Sequence, residues 1–213
     1  MNLTVNEIFH SIQGESLFAG LACVFVRLSG CNLNCRYCDT GYARTDEGTT
    51  MPLDAILEEV RDYNCGLVAV TGGEPLLQAN TPVLINRLIG RGFRVIMETN
   101  GSIDIARVTP ACSRIVDIKC PGSGMDDKNN MANLQHLHET DQVKFVITDR
   151  VDYEFARSTI EQIKAIPAGN ILFSPAYNML SPADLSQWIL ADRLDVRLHL
   201  QLHKTIWGEA RGR

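Results

Sequence analysis

Three of the chain's seven cysteines, Cys31, Cys35 and Cys38, share the stretch Ser29-Gly-Cys-Asn-Leu-Asn-Cys-Arg-Tyr-Cys-Asp-Thr40. C-x3-C-x2-C spacing lets tight turns aim three thiolates at one region, as an iron–sulfur cluster demands. A tetrahedral zinc site would need a fourth ligand, from Asp39 or a distant histidine. A redox pair of Cys35 and Cys38 is a third reading, although the thioredoxin context is missing. Three ligands to a four-iron cluster leave one iron open, able to chelate a small molecule bearing an amino and a carboxylate group. Downstream, Leu67-Val-Ala-Val-Thr-Gly-Gly-Glu-Pro75 reads as a strand running into a glycine turn. Glycines let a ligand approach the backbone, and Glu74 offers an acceptor to an ammonium group. Such a turn is also a common strand-to-helix connector. Met97-Glu-Thr-Asn-Gly101 is a second polar cluster at a strand end.

These residues need a scaffold, and the apolar pattern supplies one. Short β-rich runs at 22–28, 67–71, 93–98, 114–118, 142–147, 170–173 and 197–202 alternate with helical patterns at 53–63, 82–91, 153–165 and 182–194. Asp54 and Asp152 sit near helix starts, and Pro182 follows Ser181 as a first helical residue follows its cap. Nearly continuous apolar strands alternating with helices predict a parallel sheet with functional loops at the strands' C-terminal ends. Six or seven strands cannot complete an eight-stranded barrel, so the expected fold is α/β, an open partial barrel with a lateral gap. Segment 121–140 reads as an insertion with a helix over 128–138.

Composition excludes several classes. The 213 residues, 45% hydrophobic and 21% charged, read as a single globular domain spanning 1–213 rather than a disordered chain. A net charge of −5 argues against an electrostatic nucleic-acid binder. No apolar run approaches the roughly 20 residues of a membrane span, and the first residues lack a signal-peptide pattern. An odd cysteine count is a poor disulfide framework, so a cytoplasmic location is expected.

The cysteine spacing, with Tyr37 before the last cysteine, resembles the signature of the radical S-adenosylmethionine (SAM) enzymes. In that family the open iron binds the methionine part of SAM and cleaves it reductively to a 5′-deoxyadenosyl radical. Thr71-Gly-Gly-Glu-Pro75 then resembles the family motif that contacts the SAM amino group. Ordered motifs along nearly the whole chain narrow the resemblance: Ser11-Ile-Gln-Gly-Glu15, Cys38-Asp-Thr40, Glu98-Thr-Asn-Gly101, Asp117-Ile-Lys-Cys-Pro121 and Leu202-His-Lys204. Together they resemble the 7-carboxy-7-deazaguanine synthase family of the queuosine precursor pathway.

That resemblance implies an abbreviated radical SAM β/α barrel and a homodimer. The implied activity is a carbon–nitrogen lyase, with a [4Fe-4S] cluster, SAM and Mg²⁺ as cofactors. Its reaction turns 6-carboxy-5,6,7,8-tetrahydropterin into 7-carboxy-7-deazaguanine with release of ammonia, using electrons from a flavodoxin or ferredoxin. It further implies that Cys31, Cys35 and Cys38 hold the cluster and Thr40 the magnesium. Ile12, Gln13, Gly14, Thr71 and His203 would contact the pterin, with Glu15 at an N–H edge and Arg27 on its carboxylate. Tyr37, Cys38, Asp39, Gly73, Glu74, Asp117 and Lys119 would contact SAM, and the Arg213 carboxylate would reach substrate as in some relatives.

Read without the resemblance, Arg27 is a half-buried ion-pair partner, Thr40 a turn cap, His199 a structural residue and Trp188 core or interface. Cys23, Cys65, Cys112 and Cys120 read as inert thiols. The competing functions are a glycyl-radical-enzyme activase and a non-catalytic metal-binding module.

Overall fold

The computed structural model describes residues 1–208 and 210–212. In chain order the elements are β1 (Asn2–Ile12), β2 (Ala22–Leu28), α1 (Gly41–Thr45), β3 (Thr49–Pro52), α2 (Leu53–Asp62), β4 (Leu67–Gly72), α3 (Thr81–Gly90) and β5 (Arg94–Thr99). They continue with β6 (Ser113–Asp117), β7 (Gln142–Ile147), α4 (Arg150–Ile160), β8 (Ile171–Pro175), α5 (Pro182–Ala191), β9 (Arg197–Leu198) and α6 (Leu202–Trp207). The strands form one sheet in the order β3-β1-β2-β4-β5-β6-β7-β8-β9. From β2 through β9 the neighbours run parallel, while β1 and β3 are antiparallel additions at one edge. The sheet is therefore an open partial barrel. Among the described residues no helix is long and apolar enough to cross a membrane.

Helices α2 to α5 pack because their buried residues recur on one face. In α2, Leu53, Ile56, Leu57 and Val60 are buried at the spacing of a single helical stripe. Ser181 caps α5 by accepting the Ala183 N–H, and Pro182 follows as its first residue. Helix α4 begins before the expected 153, because Asp149 accepts the Asp152 N–H and starts it at Arg150. Asp152 instead turns its buried carboxylate onto Gly122 N–H and Thr148 N–H.

Three other expectations are corrected. Strands β1 and β3 had no counterpart in the apolar pattern. A register shift between Val5 and Glu7 breaks the alternation of β1, and β3 is a short, largely exposed edge ending in proline. No α-helix spans 128–138. The segment forms 3₁₀ turns, with the buried Asn133 amide donating to Gly101 and Ile103 carbonyls and accepting the Ile105 N–H. A side chain that satisfies three backbone groups competes with helical pairing. The last strand ends at Leu198 and the chain turns into α6, so 199–202 is not strand.

The inward face of the sheet carries the information that positions a site. Successive inward residues run from apolar at the N-terminal end of each strand to polar at its C-terminal end. They read Cys23–Phe25–Arg27, Leu67–Ala69–Thr71, Ile96–Glu98 and Ile115–Asp117. Phe18, Cys23, Phe25, Leu67, Ala69, Ile96 and Ile115 make a small apolar core inside the barrel. The larger core lies between the sheet's outer face and the helices.

Candidate functional site

A cavity of about 220 Å³ opens at the polar, C-terminal ends of the strands. Of the residues singled out from sequence, it is lined by Ile12, Gln13, Gly14, Glu15, Arg27, Cys31, Cys35, Tyr37, Cys38, Asp39, Thr40, Thr71, Gly73, Asp117, Lys119 and His203. Glu74 is not in the lining, and Arg213 lies outside the described residues.

The cysteine loop is stitched to the turn after β4 by backbone bonds. Gly73 N–H donates to Leu28 O at 3.1 Å, and Glu74 N–H to Gly30 O at 2.8 Å. A Cβ on Gly73 would sit 2.2 Å from Gly30 O and 2.7 Å from Cys31 Cβ, so only glycine admits this approach. The three cysteines are free thiols facing one cavity. The Cys31 sulfur receives the Leu33 N–H at 3.4 Å and the Asn100 amide at 3.7 Å. Burial pushes the Cys31 and Cys35 thiols up, so a metal cluster must displace their protons to bind.

Glu74 departs from its expected role. Its side chain is fully buried, and both carboxylate oxygens are committed. They accept the Leu76 N–H at 2.9 Å, the Asn100 N–H at 2.7 Å and the Thr99 hydroxyl at 3.0 Å. Glu74 therefore locks the ends of β4 and β5 together and places Asn100 beside Cys31, and its own carboxylate does not line the cavity. Burial, opposed by these donors, raises its carboxyl above the usual range.

On the opposite side, the segment after β1 forms a floor. Gln13 donates to Glu98 at 3.1 Å, and the Thr71 hydroxyl reaches the other Glu98 oxygen at 3.3 Å. Glu15 pairs with Lys144 of β7 at 2.5 Å and accepts the Gln201 amide at 2.7 Å. Burial alone would raise the Glu15 carboxyl, but the Lys144 ammonium, with His199 and His203 behind it, holds it well below the usual range. Burial and then the neighbouring Glu15 charge push Glu98 up. At the strand ends, Lys119 binds Asp117 Oδ2 at 2.8 Å, while buried Asp117 Oδ1 has no partner among the described residues.

Arg27 is both an ion-pair partner and a cavity residue. Its Nε donates to Glu7 at 2.8 Å, and the same Glu7 oxygen accepts the Tyr42 hydroxyl at 2.8 Å. The guanidinium is thus held through Nε, its carbon lies 5.7 Å from the Phe9 ring centroid and 5.8 Å from that of Tyr42, and the residue lines the cavity. Thr40 precedes α1 but makes no side-chain cap bond, contrary to a capping role. His203, on α6, covers the floor: Leu202 N–H donates to Gly14 O at 2.9 Å. Cys23, Cys112 and Cys120 are fully buried, with thiols pushed up first by burial.

Sequence reasoning missed Glu98, Asn100, Lys144 and Gln201. Glu98 and Asn100 belong to a motif recognised only as a polar cluster. Lys144 left a clearer trace, a lone cation in the apolar run 142–147. Gln201 left none, because its role depends on the chain leaving β9 early.

Residues 25–113 match the model of the radical SAM superfamily. The chain is 45% identical over 214 aligned residues to the 7-carboxy-7-deazaguanine synthase of Chlorobaculum tepidum, covering 99% of this chain and 97% of that protein. The chain belongs to the 7-carboxy-7-deazaguanine synthase family. The relative from Koribacter versatilis is 42% identical over 96% of this chain and 97% of its own. The fold agrees with that of QueE from Escherichia coli, with a TM-score of 0.75, 24% identity and 95% of each chain covered. Membership of this synthase family within the radical SAM superfamily brings a [4Fe-4S] cluster and SAM as cofactors.

Proposed function

We propose that the chain, a single domain over 1–213, converts 6-carboxy-5,6,7,8-tetrahydropterin into 7-carboxy-7-deazaguanine with loss of ammonia. The observation that carries this reading is the meeting, in one cavity, of a three-cysteine loop with a floor of pterin-compatible donors and acceptors. The same floor disfavours a glycyl-radical activase, which would need a protein-docking surface and would have no use for Arg27 and Thr40 as small-anion and magnesium sites. A purely metal-binding module would need neither Arg27 nor Asp117 in that cavity.

The residues suit the cofactors. Cys31, Cys35 and Cys38 line one cavity, the number of thiolates that holds a four-iron cluster with one iron open. N–H donors to the Cys31 sulfur are the kind of neighbours that tune such clusters. The unpartnered Asp117 Oδ1 supplies a buried acceptor for a hydroxyl-rich ligand such as the SAM ribose.

The bound cluster supplies one-electron cleavage of SAM and hence a means to remove a hydrogen atom from substrate. The chain's own task is orientation and exclusion of water. Arg27, steadied by Glu7, offers its free terminal nitrogens to the substrate carboxylate as a charge-assisted pair. Gln13, Glu15, Thr71 and His203 surround the ring, and Glu15 stays ionised to accept an N–H. Tyr37, Asp39, Gly73 and Lys119 line the SAM side. Thr40 makes no cap bond and its hydroxyl has only a long 4.0 Å contact with the Cys38 sulfur, so it supplies a hard donor fitted to Mg²⁺ that retains waters and a substrate oxygen.

We further assign a homodimer, a flavodoxin or ferredoxin as reductant, and a cytoplasmic location, where seven free thiols persist. The test is anaerobic turnover of reconstituted protein with SAM, reductant, Mg²⁺ and the pterin, read by mass spectrometry. Formation of 7-carboxy-7-deazaguanine, lost in C35A and reduced in T40A, is the expected result. A full cluster that gives no product would refute the assignment.

A further inference from the structure

Lys144 is the one charged residue of β7, and its side chain is only 12% exposed. Placing an ammonium there is costly unless it is well paired. Its Nζ lies 2.5 Å from Glu15 Oε2, on the floor, and 3.6 Å from Asp117 Oδ2, at the end of the adjoining strand. Asp117 is opposite Lys144 in the β6–β7 register and is also held by Lys119. Glu15 comes from the far side of the sheet, after β1, so its link to β7 spans the barrel. One ammonium thus joins an acid on the pterin side of the cavity to an acid on the SAM side.

We propose that Lys144 is a positioning residue that fixes the substrate-contacting Glu15 and the SAM-facing Asp117 relative to each other. This rests on the functional reading above. With Lys144 in place, binding at either end orders the same ion triad. The second ligand therefore meets a site already ordered, and its affinity rises. Without it, Glu15 loses its ammonium partner and Asp117 keeps only Lys119, so no cation links the two acids. The two ligands are then held independently, and hydrogen abstraction loses its alignment.

The test uses calorimetry on the reconstituted holoenzyme without reductant, so that nothing turns over. The dissociation constant of 6-carboxytetrahydropterin is measured with and without saturating SAM in wild type, K144M and K144R. Wild type should bind the pterin about tenfold more tightly with SAM, within the usual range for coupled sites. K144M should lose that coupling, and K144R should keep most of it. Under turnover, K144M should release about tenfold more 5′-deoxyadenosine per deazaguanine formed, a measure of lost alignment. The double variant K144M/E15Q removes both buried charges and guards against misfolding; it too should lack coupling. Equal coupling in wild type and K144M would overturn the proposal, as would no coupling in wild type. A wild type that binds no pterin and makes no deazaguanine would instead refute the functional reading, and the proposal with it.

Discussion

Gly14 and His203 meet on the floor of the cavity, and their packing makes a sharp prediction. A Cβ added at Gly14 would lie 2.3 Å from His203 Nδ1 and 2.8 Å from its Cβ and Cγ, against 3.4 Å for ordinary contact. One group must therefore yield by about 1.1 Å at the closest atom. Gly14 does not need a left-handed conformation, so the effect of G14A is steric and local. His203 sits on a six-residue helix, and the Leu202 N–H bond to Gly14 O ties that helix to the floor. The helix will move before the barrel does. A displacement of about 1 Å in a positioning residue costs on the order of 10²-fold in rate. G14A should thus lower kcat/KM for the pterin about 100-fold, while the thermal midpoint falls by no more than a few degrees. The assay is anaerobic steady-state turnover beside calorimetric unfolding. Combining G14A with H203G, which removes all three close atoms, should make the alanine nearly neutral relative to H203G alone. If G14A costs less than threefold, or costs as much in the H203G background, the steric account is wrong.

Glu7 steadies Arg27 through Nε, so E7Q should raise KM for the pterin about tenfold with little change in kcat, matching loss of one charge-assisted bond. Loss of kcat at unchanged KM would show that Arg27 does not hold the carboxylate. E74Q turns a donor toward Asn100 N–H or Leu76 N–H, removing bonds to a charged acceptor worth about 3 kcal/mol together. A chain of this size should lose roughly 6–12 °C in its thermal midpoint, and an unchanged midpoint would show the clamp is not structural. The pairing of Glu15 and Lys144 is pH-dependent in a defined direction. Glu15's folded pKa is depressed, so its stabilisation is fully present above the ordinary carboxylate range and is lost progressively as pH falls from that range toward the depressed value. In K144M the buried carboxylate lacks its counter-charge and gains from protonation. The stability gap between wild type and K144M should therefore narrow from pH 7 to pH 4, and a widening gap would contradict the pairing.

Six of the seven parallel strands, β2 and β4 to β8, were legible because burial on both faces leaves largely apolar runs that no turn residue interrupts, whereas β9 is only the partly exposed pair Arg197–Leu198. The cavity was legible from the motifs that end those strands. What escaped was set by tertiary contacts. Strand β1 hid behind its bulge, and the turns around Asn133 depend on one amide reaching three distant backbone groups. Glu74 looked like a ligand-facing acid because sequence gives no sign of which way a strand-end side chain turns; three donors on β5 and its own turn decided it. Arg27 shows two readings coexisting, since an ion pair through Nε leaves the rest of the fork free. Glu15 could be named as a polar floor residue, but its partner Lys144 lies 129 positions away.

The central claim is that one cavity holds the reduced pterin ring where a hydrogen can be taken from it. Its most direct measurement is anaerobic turnover with 6-carboxytetrahydropterin deuterated on its reduced ring, following the label by mass spectrometry. Substrate and product differ only by ammonia, so the hydrogen taken must be given back. Deuterium in the 5′-deoxyadenosyl group, recovered as SAM or as 5′-deoxyadenosine, together with 7-carboxy-7-deazaguanine and absent in C35A, is the predicted result. Unlabelled 5′-deoxyadenosine without deazaguanine, from protein carrying its full iron, would contradict the account.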